Sequence, residues 1–191
     1  TAVLFFMTLL LLFIANAKVI HIIFAGFVGS LVGTLVLLMH PYMLARLEFF
    51  EPCKNDGYQL CYSLMAIGSG GIFGKGLGAS TSKLFFLPAA HTDFIFAVLA
   101  EELGIFGIVF IVVLFYLFIR KCFYIGDKAM RVGLLFQGYL AYGIGMFITM
   151  QVFLSMAVNL GLAPTKGLAM PLFSYGGSNY LVSILSITIM F

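Results

Sequence analysis

Charge is scarce in this chain: Asp, Glu, Lys and Arg make up 9% of its 191 residues, and hydrophobic residues make up 63%. Soluble domains carry roughly 25% charged and roughly 45 to 50% apolar residues, so a water-soluble fold is excluded, in line with a mean hydropathy of +1.16. Strand-period alternation is missing as well, which excludes an outer-membrane barrel. The three cysteines form no paired Cys/His pattern of the kind that holds zinc. Net charge is +3, but the basic residues sit in loops between apolar runs, where they serve topology and give no sign of a nucleic-acid partner. The first run opens at Thr1 without an initiator Met or a charged leader region, so it does not read as a signal peptide. An all-α integral membrane protein is the class left.

Apolar runs bounded by charge or turn signals predict helices at about 1–16, 19–40, 92–119, 133–160 and 174–191, a polytopic bundle of about five transmembrane helices. Residues 1–191 read as one transmembrane domain with a large extracytoplasmic loop, 41–91, inside it. The run from Tyr180 stops short of the ~20 residues a crossing needs, so the chain is expected to be a fragment of a longer protein. Asn16-Ala17-Lys18 is a link so tight that the first two helices must form a hairpin. Gly29 and Gly33 are spaced to let a neighbouring backbone approach the second helix. A connection of about fifty residues is far longer than usual and points to function. Within it Tyr58 to Ile67 is amphipathic enough for a helix at the membrane surface. Cys53 and Cys61 share the loop and could pair if it faces an oxidising compartment, or stay free.

Gly68-Ser-Gly-Gly-Ile-Phe-Gly-Lys-Gly-Leu-Gly78 invites comparison with phosphate loops but fails them. Ser69 stands where a Walker A needs its first Gly, and Gly76 where it needs Ser or Thr. Either it is a turn-rich connection, or its N–H groups and Lys75 approach a pyrophosphate. Arg120, Lys121, Lys128 and Arg131 crowd one short segment, a density that favours the cytoplasmic side and puts the large loop outside. Gln151 falls inside an apolar run, where an amide usually bonds a neighbouring helix. Gly161 to Ser178 carries two prolines and a single cation, Lys166. Proline removes an N–H and fixes φ, so this is a structured re-entry segment. Lys166 either snorkels to the interface or contacts an anion.

Leu87 to Gly104 concentrates three of the seven acidic residues, Asp93, Glu101 and Glu102, at the mouth of an apolar run. A carboxylate there costs several kcal/mol unless paired, hydrated or protonated, so the cluster is a functional candidate. Asp93 could instead cap a helix, as could Thr92. Asp93 and Glu101 lie about 12 Å apart along a helix and only some 80° around it. That separation exceeds the roughly 5 to 9.5 Å of paired-carboxylate glycosidases, so one catalytic base with electrostatic help fits better than an acid/base pair.

These motifs, together with Gly57-Tyr58-Gln59, Pro164-Thr165-Lys166-Gly167 and Ser174-Tyr175-Gly176-Gly177-Ser178, resemble the SEDS family of FtsW, RodA and SpoVE, membrane-embedded peptidoglycan polymerases. Pro-Thr-Lys-Gly is more like the FtsW branch than RodA. The resemblance implies that the chain is the C-terminal half of a ten-span protein of the bacterial cytoplasmic membrane at the division site, polymerising lipid II beside a class B penicillin-binding protein transpeptidase and other division proteins. It implies that Asp93, in His91-Thr92-Asp93-Phe94, is the general base. Lys75, Lys83, Lys166, His91, Ser174 and Ser178 are then the candidates for binding substrate pyrophosphate, with Glu101 and Glu102 as supporting intramembrane carboxylates. The leaving pyrophosphate needs positive charge from lysines or from a divalent cation, Mg or Mn. Departures from the family pattern are Glu51-Pro52-Cys53 for Asn-Pro-Trp, Tyr62-Ser63 for Gln-Ser, Gln151, Ser155 and Ala157 for Gln-x-x-x-Asn-x-Gly, and Ser178-Asn179 for Ser-Ser. A lipid II flippase and a non-catalytic division scaffold are the competing readings.

Overall fold

A computed structural model describes residues 2–39, 58–80, 92–163 and 169–190. Among the described residues six helices follow one another: α1 (Ala2–Ile14), α2 (Val19–Met39), α3 (Tyr58–Gly70), α4 (Ile95–Arg131), α5 (Leu135–Asn159) and α6 (Gly177–Met190). No strand occurs among the described residues. Among the described residues three helices are long and apolar enough to cross a membrane: α2 over Val19–Val36, α4 and α5. The apolar α1 and α6 are shorter, at 13 and 14 residues.

The expected α1–α2 hairpin is present, and Asn16 turns the link with a φ of 57°, a left-handed conformation that Asn tolerates better than most residues. The glycine pair on α2 acts differently from expectation. A Cβ at Gly29 would overlap the Phe5 ring, so Gly29 admits a side chain of α1 and no backbone, while Gly33 faces open space.

The centre of the molecule is the antiparallel pair α4–α5, joined by Val132–Leu134 with Gly133 at φ 84°. Phe96, Ile111 and Phe115 of α4 meet Ile148 and Val152 of α5, and Met170 of the re-entry segment closes this core. At the other end of the seam Gly126 and Gly138 leave room for Tyr142 and Met130, and the Tyr142 hydroxyl donates to Asp127. Small residues let helices approach where lipid offers no hydrophobic drive. Helix α4 also corrects the expected boundary. It runs on to Arg131, so the basic segment from Arg120 is helical and not a linker.

Helix α3 is also placed differently from expectation. It packs into the bundle against α4, with Leu60, Cys61, Ser63 and Ala66 buried. Cys61 is disulfide-bonded and Cys122 is free and buried; Cys53 lies outside the described residues.

After α3, residues 71–76 thread into a break in α4 at Gly104, where φ is 66° and ψ −166°. In a continuous helix the N–H groups of Ile105 and Phe106 would reach the carbonyls of Glu101 and Glu102. Here they go to Gly71 O at 3.1 Å and Ile72 O at 3.4 Å, and the Glu101 and Glu102 carbonyls accept from Lys75 N and Gly76 N, both at 3.0 Å. Four backbone groups that a break would orphan are thereby satisfied inside an apolar bundle, as the absence of water there requires. The approach is so close that a Cβ at Gly70, Gly74 or Gly104 would collide with the facing backbone.

Candidate functional site

Asp93 lies in the turn Thr92–Phe94 that leads into α4. It is not a cap: the N-cap position belongs to Phe94, and no side chain caps the helix. Side chains from elsewhere hold the turn. Ser174 Oγ donates to Thr92 O at 2.6 Å and accepts from Met170 N at 2.7 Å. Asn159, at the end of α5, donates through Nδ2 to Asp93 O at 3.1 Å and to Ser155 O at 2.8 Å. Its Oδ1 accepts from Ala97 N at 3.3 Å. Ser63 of α3 donates to the Asn159 carbonyl at 3.0 Å. Phe94 is buried with Val98 against Tyr62. The backbone around Asp93 is thus bonded on two sides and anchored by the ring below, while its own side chain is only half-buried. Among the described residues no hydrogen bond or ion pair is formed by the Asp93 carboxylate.

Glu101, eight residues on, is in the opposite situation. It is fully buried and accepts from Lys75 Nζ at 2.7 Å, from Ser80 Oγ at 2.6 Å and from Ser69 Oγ at 3.4 Å. Glu102 is buried too, and its Oε1 has no partner.

The site residues expected from sequence divide accordingly. Lys75 is held by Glu101, and the backbone donors of Gly74, Lys75 and Gly76 are spent on Gly70 and on the break in α4. The expectation that these N–H groups cradle a phosphate therefore fails for those three. Ser174 is buried against the Asp93 turn, whereas Ser178 is exposed at the start of α6. His91, Lys83 and Lys166 lie outside the described residues. Among the described residues the buried Gln151 Oε1 has no partner, so the expected bond to a neighbouring helix is not made there through the oxygen. Sequence reading missed Asn159 and Ser63. The available signal was a lone Asn closing an otherwise apolar helix.

No group of three or more His, Cys, Asp or Glu that could hold a metal ion occurs among the described residues.

Fold and site together define a multi-pass helical membrane protein in which, among the described residues, the Asp93 carboxylate is left without a bond in a turn at the mouth of the central helix pair. The chain belongs to the FtsW/RodA/SpoVE family of cell cycle proteins, whose model matches residues 1–191. It is 52% identical over 181 residues to a probable peptidoglycan glycosyltransferase FtsW of Thioalkalivibrio sulfidiphilus, covering 92% of this chain and 45% of that protein. A protein of the same description from Coxiella burnetii is 46% identical over 185 residues, covering 94% of this chain and 49% of its own length. The chain thus spans about half the length of the curated relatives it matches. Among solved structures it is similar to a chain of a peptidoglycan synthase complex that coordinates polymerization and crosslinking. The TM-score is 0.71 at 25% identity, over 99% of this chain and 53% of that one.

Proposed function

We propose that this chain forms the catalytic part of a peptidoglycan glycosyltransferase that polymerises lipid II into glycan strands at the division site, with Asp93 as general base. The observation that carries the proposal is the contrast between the two carboxylates: Glu101 is buried and bonded to a lysine, and Asp93 is held by its backbone with its side chain left over. A positioned carboxylate that forms no bond among the described residues is suited to take a proton from substrate.

In the proposed reaction the 4-hydroxyl of one lipid II sugar attacks the anomeric carbon of another. The O4–H proton passes to the Asp93 carboxylate as the O4–C1 bond forms. The bond from C1 to the pyrophosphate oxygen breaks, and undecaprenyl pyrophosphate leaves with the electron pair. Positive charge near that leaving group lowers the barrier. Lys83 and Lys166 are the proposed sources, since Glu101 already balances the charge of Lys75. A divalent cation bound with the pyrophosphate would add Lewis-acid charge. A class B penicillin-binding protein is the proposed partner, crosslinking the strand made here.

The test is fluorescent lipid II given in detergent micelles to the full-length protein with its transpeptidase, with and without a chelator. Micelles have no second compartment, so translocation gives no signal. Glycan polymer supports the proposal, and its loss on chelation assigns the cation. No polymer, where another member of the family makes it, overturns the proposal in favour of a flippase or scaffold.

A further inference from the structure

We infer that Asn159 and Ser174 are positioning residues for glycosyl transfer, setting the direction of the Asp93 carboxylate through its backbone. The inference rests on Asp93 being the general base. In a helix the carbonyls of residues 92 and 93 would accept from N–H groups four residues on, and the helix would orient Asp93. Here α4 begins only after Phe94. Both carbonyls instead accept from side chains of other elements, Thr92 O from Ser174 and Asp93 O from Asn159. The direction of Asp93 is therefore a tertiary property of α5 and the segment before α6.

Neither residue has a donor left for substrate. An amide offers two hydrogens and a hydroxyl one. Both hydrogens of Asn159 are used, on Asp93 O and Ser155 O, and that of Ser174 is used on Thr92 O. Asn159 is fully buried and Ser174 nearly so. The amide orientation is fixed by its surroundings, because two carbonyls face Nδ2 and the Ala97 N–H faces Oδ1. Both residues thus act through Asp93, and a displacement of about 1 Å at a reacting group can cost on the order of 100-fold in rate.

Asn159→Asp is nearly isosteric and places an oxygen against the carbonyls of Asp93 and Ser155. Ser174→Ala removes the bond to Thr92, and Ser174→Thr keeps a hydroxyl. Each is made in the full-length protein with its transpeptidase, assayed with fluorescent lipid II, and normalised to the fraction that binds lipid II, so that unfolded protein does not register. The expected result is a kcat lowered about 10- to 100-fold in Asn159→Asp and Ser174→Ala. KM stays near wild type in both, and Ser174→Thr recovers most of the loss. Should Asn159→Asp fail to fold, Ser174→Ala and its threonine rescue decide. Wild-type kcat in Ser174→Ala, with Asp93→Asn inactive, overturns the positioning role alone. A raised KM at unchanged kcat overturns it too, making these residues substrate contacts. Activity in Asp93→Asn removes the reading beneath it.

Discussion

Two carboxylates on one stretch of chain have opposite fates, and a few hydrogen bonds decide which is which. Glu101 is sealed in the bundle with a lysine and two hydroxyls, so its charge is a structural fastener between the glycine-rich loop and α4. Removing one partner of such a pair leaves an uncompensated charge in an apolar interior, at a cost of several kcal/mol. Lys75 is partly exposed, which puts Lys75→Met at the low end, about 3 kcal/mol. Thermal melting in detergent is expected to show a clear loss for Lys75→Met and substantial recovery in the double variant Lys75→Met, Glu101→Gln, where no charge is left behind. If Lys75→Met melts with the wild type, the ion pair does not hold the loop. Asp93 is the opposite case: among the described residues its carboxylate forms no hydrogen bond or ion pair, which is what the proposed role as base requires.

At the scale of the element, the break in α4 is the feature on which the site depends, since the loop threaded through it joins α3 to the helix that begins beside Asp93. Gly104 combines a positive φ with backbone contacts to Ile72 and Gly74. With ψ at −166° it lies in a region essentially confined to glycine, where another residue costs roughly 1–3 kcal/mol, and a Cβ there must also push the loop out. Gly104→Ala is therefore expected to lower the melting temperature well beyond Gly33→Ala, which enters open space in a helix, where alanine is favoured over glycine by roughly 0.5–1 kcal/mol. Equal effects would show that the loop is not seated in the break. The helices were legible because long apolar runs carry strong signals, and the Asp93 stretch was legible because charge is rare enough to stand out. The threaded loop was not legible. Glycines at 70, 74 and 104 serve a single crossing, but nothing local says that hydrogen bonds will be exchanged between segments about thirty residues apart. The sequence draws attention to Gln151 and to Ser155, which stands where the family pattern has Asn, yet the amide that bonds the Asp93 turn lies one turn further on at Asn159. Helical periodicity gives all three a common face without telling which one meets a carbonyl.

For the whole molecule, α4 past its break sets the scale. Ile105 to Arg131 rises about 39 Å, more than the ~30 Å hydrocarbon core, so Arg120 to Tyr124 falls near the far interface when Ile105 is at the near one. Lys121 there lies over the Tyr124 ring at 5.5 Å, the pairing of a snorkelling cation with an interfacial aromatic. The Asp93 turn and the exposed Tyr175 belong to the opposite end. Single cysteines at Tyr175 and Lys121 are thus expected to differ in sidedness. A membrane-impermeant maleimide should label Tyr175→Cys in intact spheroplasts and Lys121→Cys only after permeabilisation. The reverse pattern would put Asp93 on the cytoplasmic side. The central claim remains that one carboxylate at this outer mouth takes the proton of the attacking sugar. Losing a general base typically costs about 100- to 10,000-fold. The most direct measurement is the polymerisation rate of Asp93→Asn beside wild type, each normalised to bound lipid II. Lipid II binding retained with polymer reduced by that factor is the predicted result, and polymer made at the wild-type rate would contradict the account.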